Sequence, residues 1–161
     1  MAALRVRAAG RYTGPLRRTI LAYKRGRRDA GDVLADLLAD RIAPGFPAQT
    51  VLVPVPTTSP RRRARGFDQG VLLAQSLGAR LEVPVILALG RRAGGAQHGR
   101  SRSARLAATG RFVCIAPQLV AGARLVLVDD VVTTGATLRD CAEVLQECGA
   151  TVREAVVLAY A

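Results

Sequence analysis

Asp129 and Asp130 stand side by side directly after an apolar run, Leu125-Val126-Leu127-Val128, and Thr133, Thr134, Gly135, Ala136 and Thr137 follow within a few residues. A short continuous apolar run of this kind suits a central parallel strand buried on both faces. The two carboxylates are therefore expected where that strand leaves the sheet. Leu138, Cys141, Leu145 and Cys148 then recur at helical spacing, so the stretch reads as a strand, a short loop and the start of a helix.

A loop of this composition suits a phosphate. Gly135 lets the backbone come close to a ligand, the threonines offer hydroxyl donors, and the first N–H groups of a helix lack internal partners. Adjacent carboxylates can accept hydrogen bonds from a vicinal diol such as a ribose 2′,3′-pair, and they favour positive charge on a nearby atom. A phosphate cradle one loop away from a diol clamp describes a ribose 5-phosphate site, with Asp129 and Asp130 as its catalytic pair. The plainer alternative is a buried strand with an acidic exit and a capped helix. Two adjacent acids beside a buried strand are costly without a use, which favours the functional reading.

At 161 residues the chain is expected to form a single domain, with a helical N-terminal portion (1–48) and a core (49–161) holding the diacid. No apolar run approaches the length of a membrane span. The first ten residues lack the apolar segment of a signal peptide. Cys114, Cys141 and Cys148 lack Cys-x-x-Cys spacing and His98 is the only histidine, so no cysteine-based metal site is expected. Cys141 and Cys148 share a core stripe, and a reduced, cytoplasmic setting fits. The net charge of +12 is uneven: residues 1–40 carry +5, residues 41–111 carry +10 and residues 112–161 carry −3. The basic excess thus lies ahead of the diacid.

The elements that must position the site can be read in order. Pro15 suits a first helical turn, with Leu16, Ile20 and Tyr23 on one apolar side. A second helix is predicted over Asp29–Arg41, with Val33, Leu34, Leu37 and Leu38 inward and Pro44, Gly45 and Pro47 ending it. Thr50–Val53 reads as a short strand leading into Pro54-Val55-Pro56-Thr57-Thr58-Ser59. With Arg61, Arg62, Arg63 and Arg65 behind it, that loop is a candidate pyrophosphate-binding element (Pro54, Val55, Pro56, Thr57, Arg61, Arg65). A solvated turn before a basic helix is the alternative. Gly66–Leu81 is predicted helical, with Phe67, Val71, Leu72, Ala74, Leu77 and Leu81 inward, and Pro84–Ala88 as a strand. Arg91–Ser103 holds no apolar residue larger than alanine and reads as a mobile loop or a disordered surface loop. Ser103–Ala108 is expected as a short helical turn. Phe112–Ile115 reads as a strand or hairpin arm, Leu138–Cys148 as a helix stopped by Gly149, and Val152–Ala159 as the last strand. Strands alternating with helices imply a parallel α/β sheet, Rossmann-like, with its site at the carboxyl ends of the strands.

An apolar strand, two acids, two residues and Thr-Thr-Gly-x-Thr resemble the phosphoribosyl pyrophosphate signature of type I phosphoribosyltransferases. The resemblance implies that Asp129 and Asp130 hold the ribose hydroxyls and that Thr133 to Thr137 wrap the 5-phosphate. Further segments are similar to the ComF family, known from bacterial competence: Tyr12…Gly14-Pro15-Leu16-Arg17…Ile20…Tyr23-Lys24, then Val53-Pro54-Val55-Pro56, then Arg65-Gly66-Phe67-Asp68-Gln69. Gln97-x-Gly99-x-Ser101-Arg102-x-x-Arg105 is similar to that family's central loop, with Gln97, Ser101 and Arg102 as its flexible-loop residues. The chain departs from the family in three places, with Asp68 where asparagine is usual, Val132 where an aromatic residue is frequent, and Ala108 in place of an asparagine. Many members begin with a four-cysteine zinc ribbon, and this sequence is expected to start past it.

The resemblance implies a fold of the type I phosphoribosyltransferase kind, and displacement of pyrophosphate from C1 of phosphoribosyl pyrophosphate by a nitrogen nucleophile, with Mg²⁺ as cofactor. A factor handling single-stranded DNA in natural transformation, with phosphoribosyl pyrophosphate binding retained, is the expected role; a transferase with an unknown acceptor and a regulator that senses phosphoribosyl pyrophosphate without turnover are the alternatives. Arg61, Arg62, Arg63, Arg91, Arg92 and Arg100 are the expected nucleic-acid contacts, with weak sequence selectivity because few aromatic residues accompany them. A DNA-uptake helicase and a second copy of the chain are further expected partners; a membrane is not.

Overall fold

Leu125 to Val128 are buried on both sides, as their composition requires. The computed structural model describes residues 3–57, 68–92 and 111–161. In chain order these form β1 (Arg5–Arg11), α1 (Gly14–Lys24), α2 (Arg28–Ile42), β2 (Thr50–Pro54), α3 (Gln69–Leu81), β3 (Leu89–Arg91), β4 (Phe112–Cys114), α4 (Pro117–Val120), β5 (Arg124–Val132), α5 (Ala136–Glu147) and β6 (Thr151–Tyr160). Four strands make an all-parallel sheet in the order β1-β6-β5-β2, and β3 and β4 form a separate antiparallel pair. The α/β class and the parallel sheet are as the sequence implies.

Strand alternation divides the core in two. Leu125 and Leu127 pack with α5 and the β3–β4 pair, while Val126 and Val128 pack with α1, α2 and α3. Because all four strands are parallel, their carboxyl ends gather at one edge, where β1 delivers α1, β2 delivers the Pro54–Thr57 loop and β5 delivers α5.

Several expectations are corrected. The N-terminal portion is not only helical: β1 pairs with β6 from Arg5↔Glu154 to Arg11↔Tyr160. It is an edge strand, so alternate arginines can face solvent and the sequence shows no apolar run there. On α2, Val33 and Leu37 point outward (60% and 36% exposed), and the buried stripe is Gly31, Leu34, Ala35, Leu38, Ala39 and Ile42. Small residues take the place of two aliphatic ones because α1 and α3 pack closely on that face. On α3, Leu73 is buried whereas Val71 and Leu72 are half-buried. Pro84–Ala88 is not a full strand. It touches the sheet at one parallel bridge, Leu52↔Val85, held by Leu52 N–H to Pro84 O and Ile86 N–H to Leu52 O, both 2.9 Å. Phe67 and the Ser103–Ala108 turn lie outside the described residues.

Candidate functional site

Strand β5 runs through the diacid to Val132 instead of stopping at Val128. Asp129 and Asp130 are therefore strand residues, and a period of two turns their side chains to opposite faces. Asp129 faces α5, where its charge reaches Cys141, and the Arg91 guanidinium acts on it; Asp130 faces α1, where its charge reaches Tyr23. Each carboxylate takes the next backbone N–H: Asp130 N donates to Asp129 Oδ1 at 2.8 Å, and Val131 N to Asp130 Oδ1 at 2.6 Å. Asp130 Oδ2 also receives Lys24 Nζ at 2.8 Å. Burial, then the Asp130 charge, pushes the Asp129 carboxyl up to about 7, against opposing pulls from the Asp130 N–H, Lys24 and Arg91. Burial also drives the Cys141 thiol far above its usual range, which removes it as a nucleophile.

The loop after β5 is short, residues 133–135, and α5 begins at Ala136, two residues before the start that the sequence predicts. Asp129, Val132, Thr133, Thr134, Gly135 and Thr137 are among the residues that line one cavity of about 50 Å³. Gly135 occupies the N-cap of α5 with φ +73°, in the left-handed region that an unbranched backbone tolerates best. Its absent side chain leaves the helix without a side-chain cap on that residue. Among the described residues, the side-chain oxygen that meets a first amide of α5 is Thr134 Oγ1, which accepts from Ala136 N at 3.4 Å, at the long end for a hydrogen bond. Arg139, one turn into α5, reaches back and donates from Nη1 to Thr134 O at 3.1 Å. A Cβ on Gly135 would lie 3.4 Å from that same Nη1. A cation in a helix's first turn opposes the dipole; that mismatch was the one sequence signal that could have singled out Arg139. Lys24 carried two weaker ones: it is the sole lysine among 24 basic residues, and it closes the Tyr12…Lys24 segment that resembles the ComF family.

The Pro54–Thr57 loop lies alongside. Val55 N donates to Val128 O at 2.9 Å, pinning the loop one residue before Asp129. Val55 itself is buried in the core and its N–H is spent on Val128, so it offers the site no side chain. Pro54, Pro56, Thr57, Asp68 and Arg91 share a second cavity of about 320 Å³, whose remaining walls include Val71, Leu87 and Ile115. Asp68 caps α3 by accepting from Gly70 N (3.0 Å) and Val71 N (3.3 Å), and takes Thr57 Oγ1 at 3.1 Å on its other oxygen. The departure from asparagine thus keeps the capping function. Arg91 is half-buried: its Nε donates to Pro56 O at 3.1 Å and its guanidinium lies 5.0 Å from the Phe112 ring centre. The structure draws it toward the site instead of leaving it on an outer basic surface, whereas Arg92 is exposed. Arg61, Arg62, Arg63, Arg65, Gln97, Arg100, Ser101 and Arg102 lie outside the described residues. Among the described residues no helix is long and apolar enough to cross a membrane.

Comparison with known proteins agrees with this geometry. A family model described as phosphoribosyl transferase domain matches residues 68–161. The "DNA utilization protein YhgH" of Salmonella typhi is 35% identical over 150 residues, covering 86% of this chain and 64% of that protein. The protein of the same name from Salmonella typhimurium matches to the same extent; the chain thus spans less than two thirds of the length of these relatives. Among solved structures, the adenine phosphoribosyltransferase of Thermoanaerobacter pseudethanolicus superposes with a TM-score of 0.53 at 16% identity, over 84% of this chain and 82% of that one. The glutamine phosphoribosylpyrophosphate amidotransferase of B. subtilis gives 0.53 at 23% identity, over 79% of this chain and 25% of that one. Likeness at these identities speaks to the fold alone. The family match instead spans the capped start of α3, the strand bearing the diacid and the open helix after it: this chain belongs to the phosphoribosyl transferase domain family.

Proposed function

We propose that the chain binds phosphoribosyl pyrophosphate with Mg²⁺, its 5-phosphate on Thr133–Thr137, its ribose hydroxyls at Asp129 and Asp130, and its pyrophosphate toward Pro54–Thr57 and Arg91. One observation carries this reading: an open helix N-terminus at left-handed Gly135 shares a cavity with the half-buried carboxylate of Asp129. Backbone N–H groups there favour a phosphate. The diol would sit across β5 just beyond its last pair with β2, Pro54↔Val128, because the two carboxylates approach from opposite faces.

Mg²⁺ ordinarily keeps several waters and takes one or two carboxylates plus substrate phosphates. Among the described residues no three His, Cys, Asp or Glu side chains converge into a cage, and the diacid fits that lesser share. When bound, the ion would offset the charge of the departing pyrophosphate. In transfer, the acceptor nitrogen bonds to C1 as the C1–O bond breaks and pyrophosphate leaves with the electron pair. The carboxylates stabilise the positive ring more than the ground state.

For biological role we place the chain with the ComF-like proteins, as a factor handling single-stranded DNA during uptake. The resemblance of the "DNA utilization" relatives and the +10 carried by residues 41–111 support this. We assign exposed Arg92 to nucleic-acid contact, the role the sequence suggests for Arg61, Arg62, Arg63 and Arg100, and half-buried Arg91 to the ligand site.

Calorimetry with Mg²⁺ tests the site. Asp129→Asn with Asp130→Asn should cost about 3 kcal/mol or more of binding, two charge-assisted hydrogen bonds at roughly 1.5–3 kcal/mol each. Equal affinity of wild type and double variant would remove the diol clamp. Turnover with a panel of nitrogenous acceptors then separates transferase from sensor. Single-stranded DNA should bind with a log–log salt slope near −3 if about four phosphates are neutralised, and a slope near zero would remove the nucleic-acid role.

A further inference from the structure

Helix α1 begins where β1 ends, at the carboxyl edge of the sheet, with Tyr12 N donating to Tyr160 O at 2.8 Å. It ends with Lys24 beside Asp130 on β5. The helix therefore crosses that edge from the outermost strand to the site. Its last turn is fixed independently of Lys24. The Tyr23 hydroxyl donates to Gln69 O at 2.8 Å, Gln69 Nε2 donates back to Tyr23 O, and the Tyr23 ring is buried against Gly31. A Cβ at Gly31 would fall 2.6 Å from that ring, so α2 leaves no room for the turn to shift. The ammonium is thus delivered to Asp130 by a rigid frame.

Lysine is the informative choice in a chain that is otherwise arginine at every basic position. A guanidinium would tend to span both oxygens of a carboxylate, whereas an ammonium is a single point donor. With Oδ1 held by Val131 N and Oδ2 by Lys24, each oxygen keeps a lone pair for a further donor.

We infer that Lys24 is a positioning residue that aims the Asp130 carboxylate at the ribose 2-hydroxyl, so that the site discriminates a ribose 5-phosphate from its 2-deoxy counterpart. The inference rests on the proposed ribose 5-phosphate site and adds which residue outside β5 enforces its sugar selectivity. An unaimed carboxylate would lose the geometry of that hydrogen bond while the phosphate end stayed unchanged.

Calorimetric titration with ribose 5-phosphate and with 2-deoxyribose 5-phosphate, across wild type, Lys24→Met, Asp130→Asn and the double variant, tests it. Wild type should prefer the ribose by about tenfold, the worth of one charge-assisted hydrogen bond. Lys24→Met should bring that ratio close to one without weakening the deoxy sugar, and should have no further effect on the ratio in the Asp130→Asn background. A ratio unchanged by Lys24→Met, or equal losses for both sugars, would overturn the positioning role and leave the site reading standing. Failure of wild type to bind either sugar would overturn both. Thermal melting of each variant guards the comparison: the Tyr23–Gln69 frame should hold Lys24→Met folded, and Lys24→Gln, polar, uncharged and one bond shorter than lysine, should collapse the ratio likewise.

Discussion

Two strand-to-helix junctions sit side by side at the carboxyl edge, and they are finished in opposite ways. After β2 the chain enters α3 through Asp68, whose carboxylate accepts from two of the first amides and so closes the helix end. After β5 it enters α5 through Gly135, which has no side chain to do so and holds a left-handed φ of +73°. The first junction spends its N–H groups on the protein; the second leaves them for an anion. The neighbours thus differ in how the helix end is finished, and on the proposed reading that difference lets the second helix end take a phosphate where the first holds the Asp68 carboxylate. It also explains the neighbours: Asp68 is tied to Thr57, whereas the open end is backed by Arg139, a cation that the dipole alone would reject.

Closing the open junction should have the largest effect. In Gly135→Asp the new carboxylate meets the first amides of α5 and lies beside Arg139, occupying the phosphate's place with its own charge. Aspartate tolerates the left-handed region better than most residues, so the fold should survive with a loss of about 1 kcal/mol. Affinity for phosphoribosyl pyrophosphate should fall by at least about 100-fold, two or more charge-assisted hydrogen bonds. Calorimetry beside a denaturant melt reads both, and normal binding would place the phosphate elsewhere.

A middle-sized effect concerns Asp129, on the floor of the open junction. Its native pKa is raised to about 7, so the folded state binds the extra proton between about 4 and 7. Stability must then fall as pH rises through that window and level off above it. Asp129→Asn abolishes the fall and should be more stable than wild type at pH 8 by about 1–3 kcal/mol, converging with it near pH 4. Ligand binding carries the opposite sign: diol hydroxyls donate to the ionised form, so affinity should rise toward pH 7 with release of a proton. Buffer-dependent calorimetry detects that proton, and a pH-independent heat and affinity would show that Asp129 is already ionised in the free protein.

The open junction was the more legible of the two because its chemistry is local. Apolar run, diacid, threonines and glycine lie within thirteen residues, and composition alone dictates strand, loop and helix. What sequence patterns missed depends on partners far along the chain. The carboxylates were expected to leave the sheet together, yet pairing of β5 with β6 as far as Val132↔Tyr160 keeps both in the strand and splits them between its faces. Lys24 meets Asp130 across more than a hundred residues, so no spacing rule could join them. Strand β1 was invisible because an edge strand needs no apolar run, and Val33 looked like core because periodicity cannot tell which of two adjacent stripes a neighbouring helix covers. Arg91 read as surface charge until Phe112 and the Pro56 carbonyl, both distant in sequence, drew it inward.

Opening the closed junction should have the smallest effect, and it tests whether capping alone sets the two apart. Asp68→Ala removes the acceptor for Gly70 N and Val71 N and frees Thr57, at a cost of about 1 kcal/mol of stability, typical for a lost N-cap. Asp68→Asn keeps an oxygen in the same place, so its stability should stay within about 0.5 kcal/mol of wild type, since asparagine and aspartate rank alike at this position. Chemical denaturation resolves the two variants at this level. The informative arm is inorganic phosphate: if an uncapped helix end were sufficient for anion binding, Asp68→Ala would gain a second phosphate site at the start of α3. None is expected: among the described residues the helix itself carries no counterpart of Arg139, and Arg91, a cation lining the same cavity, is already engaged by Pro56 O and the Phe112 ring. A second site seen by calorimetry would mean that the open amides, and not the cation behind them, make the junction after β5 a phosphate cradle.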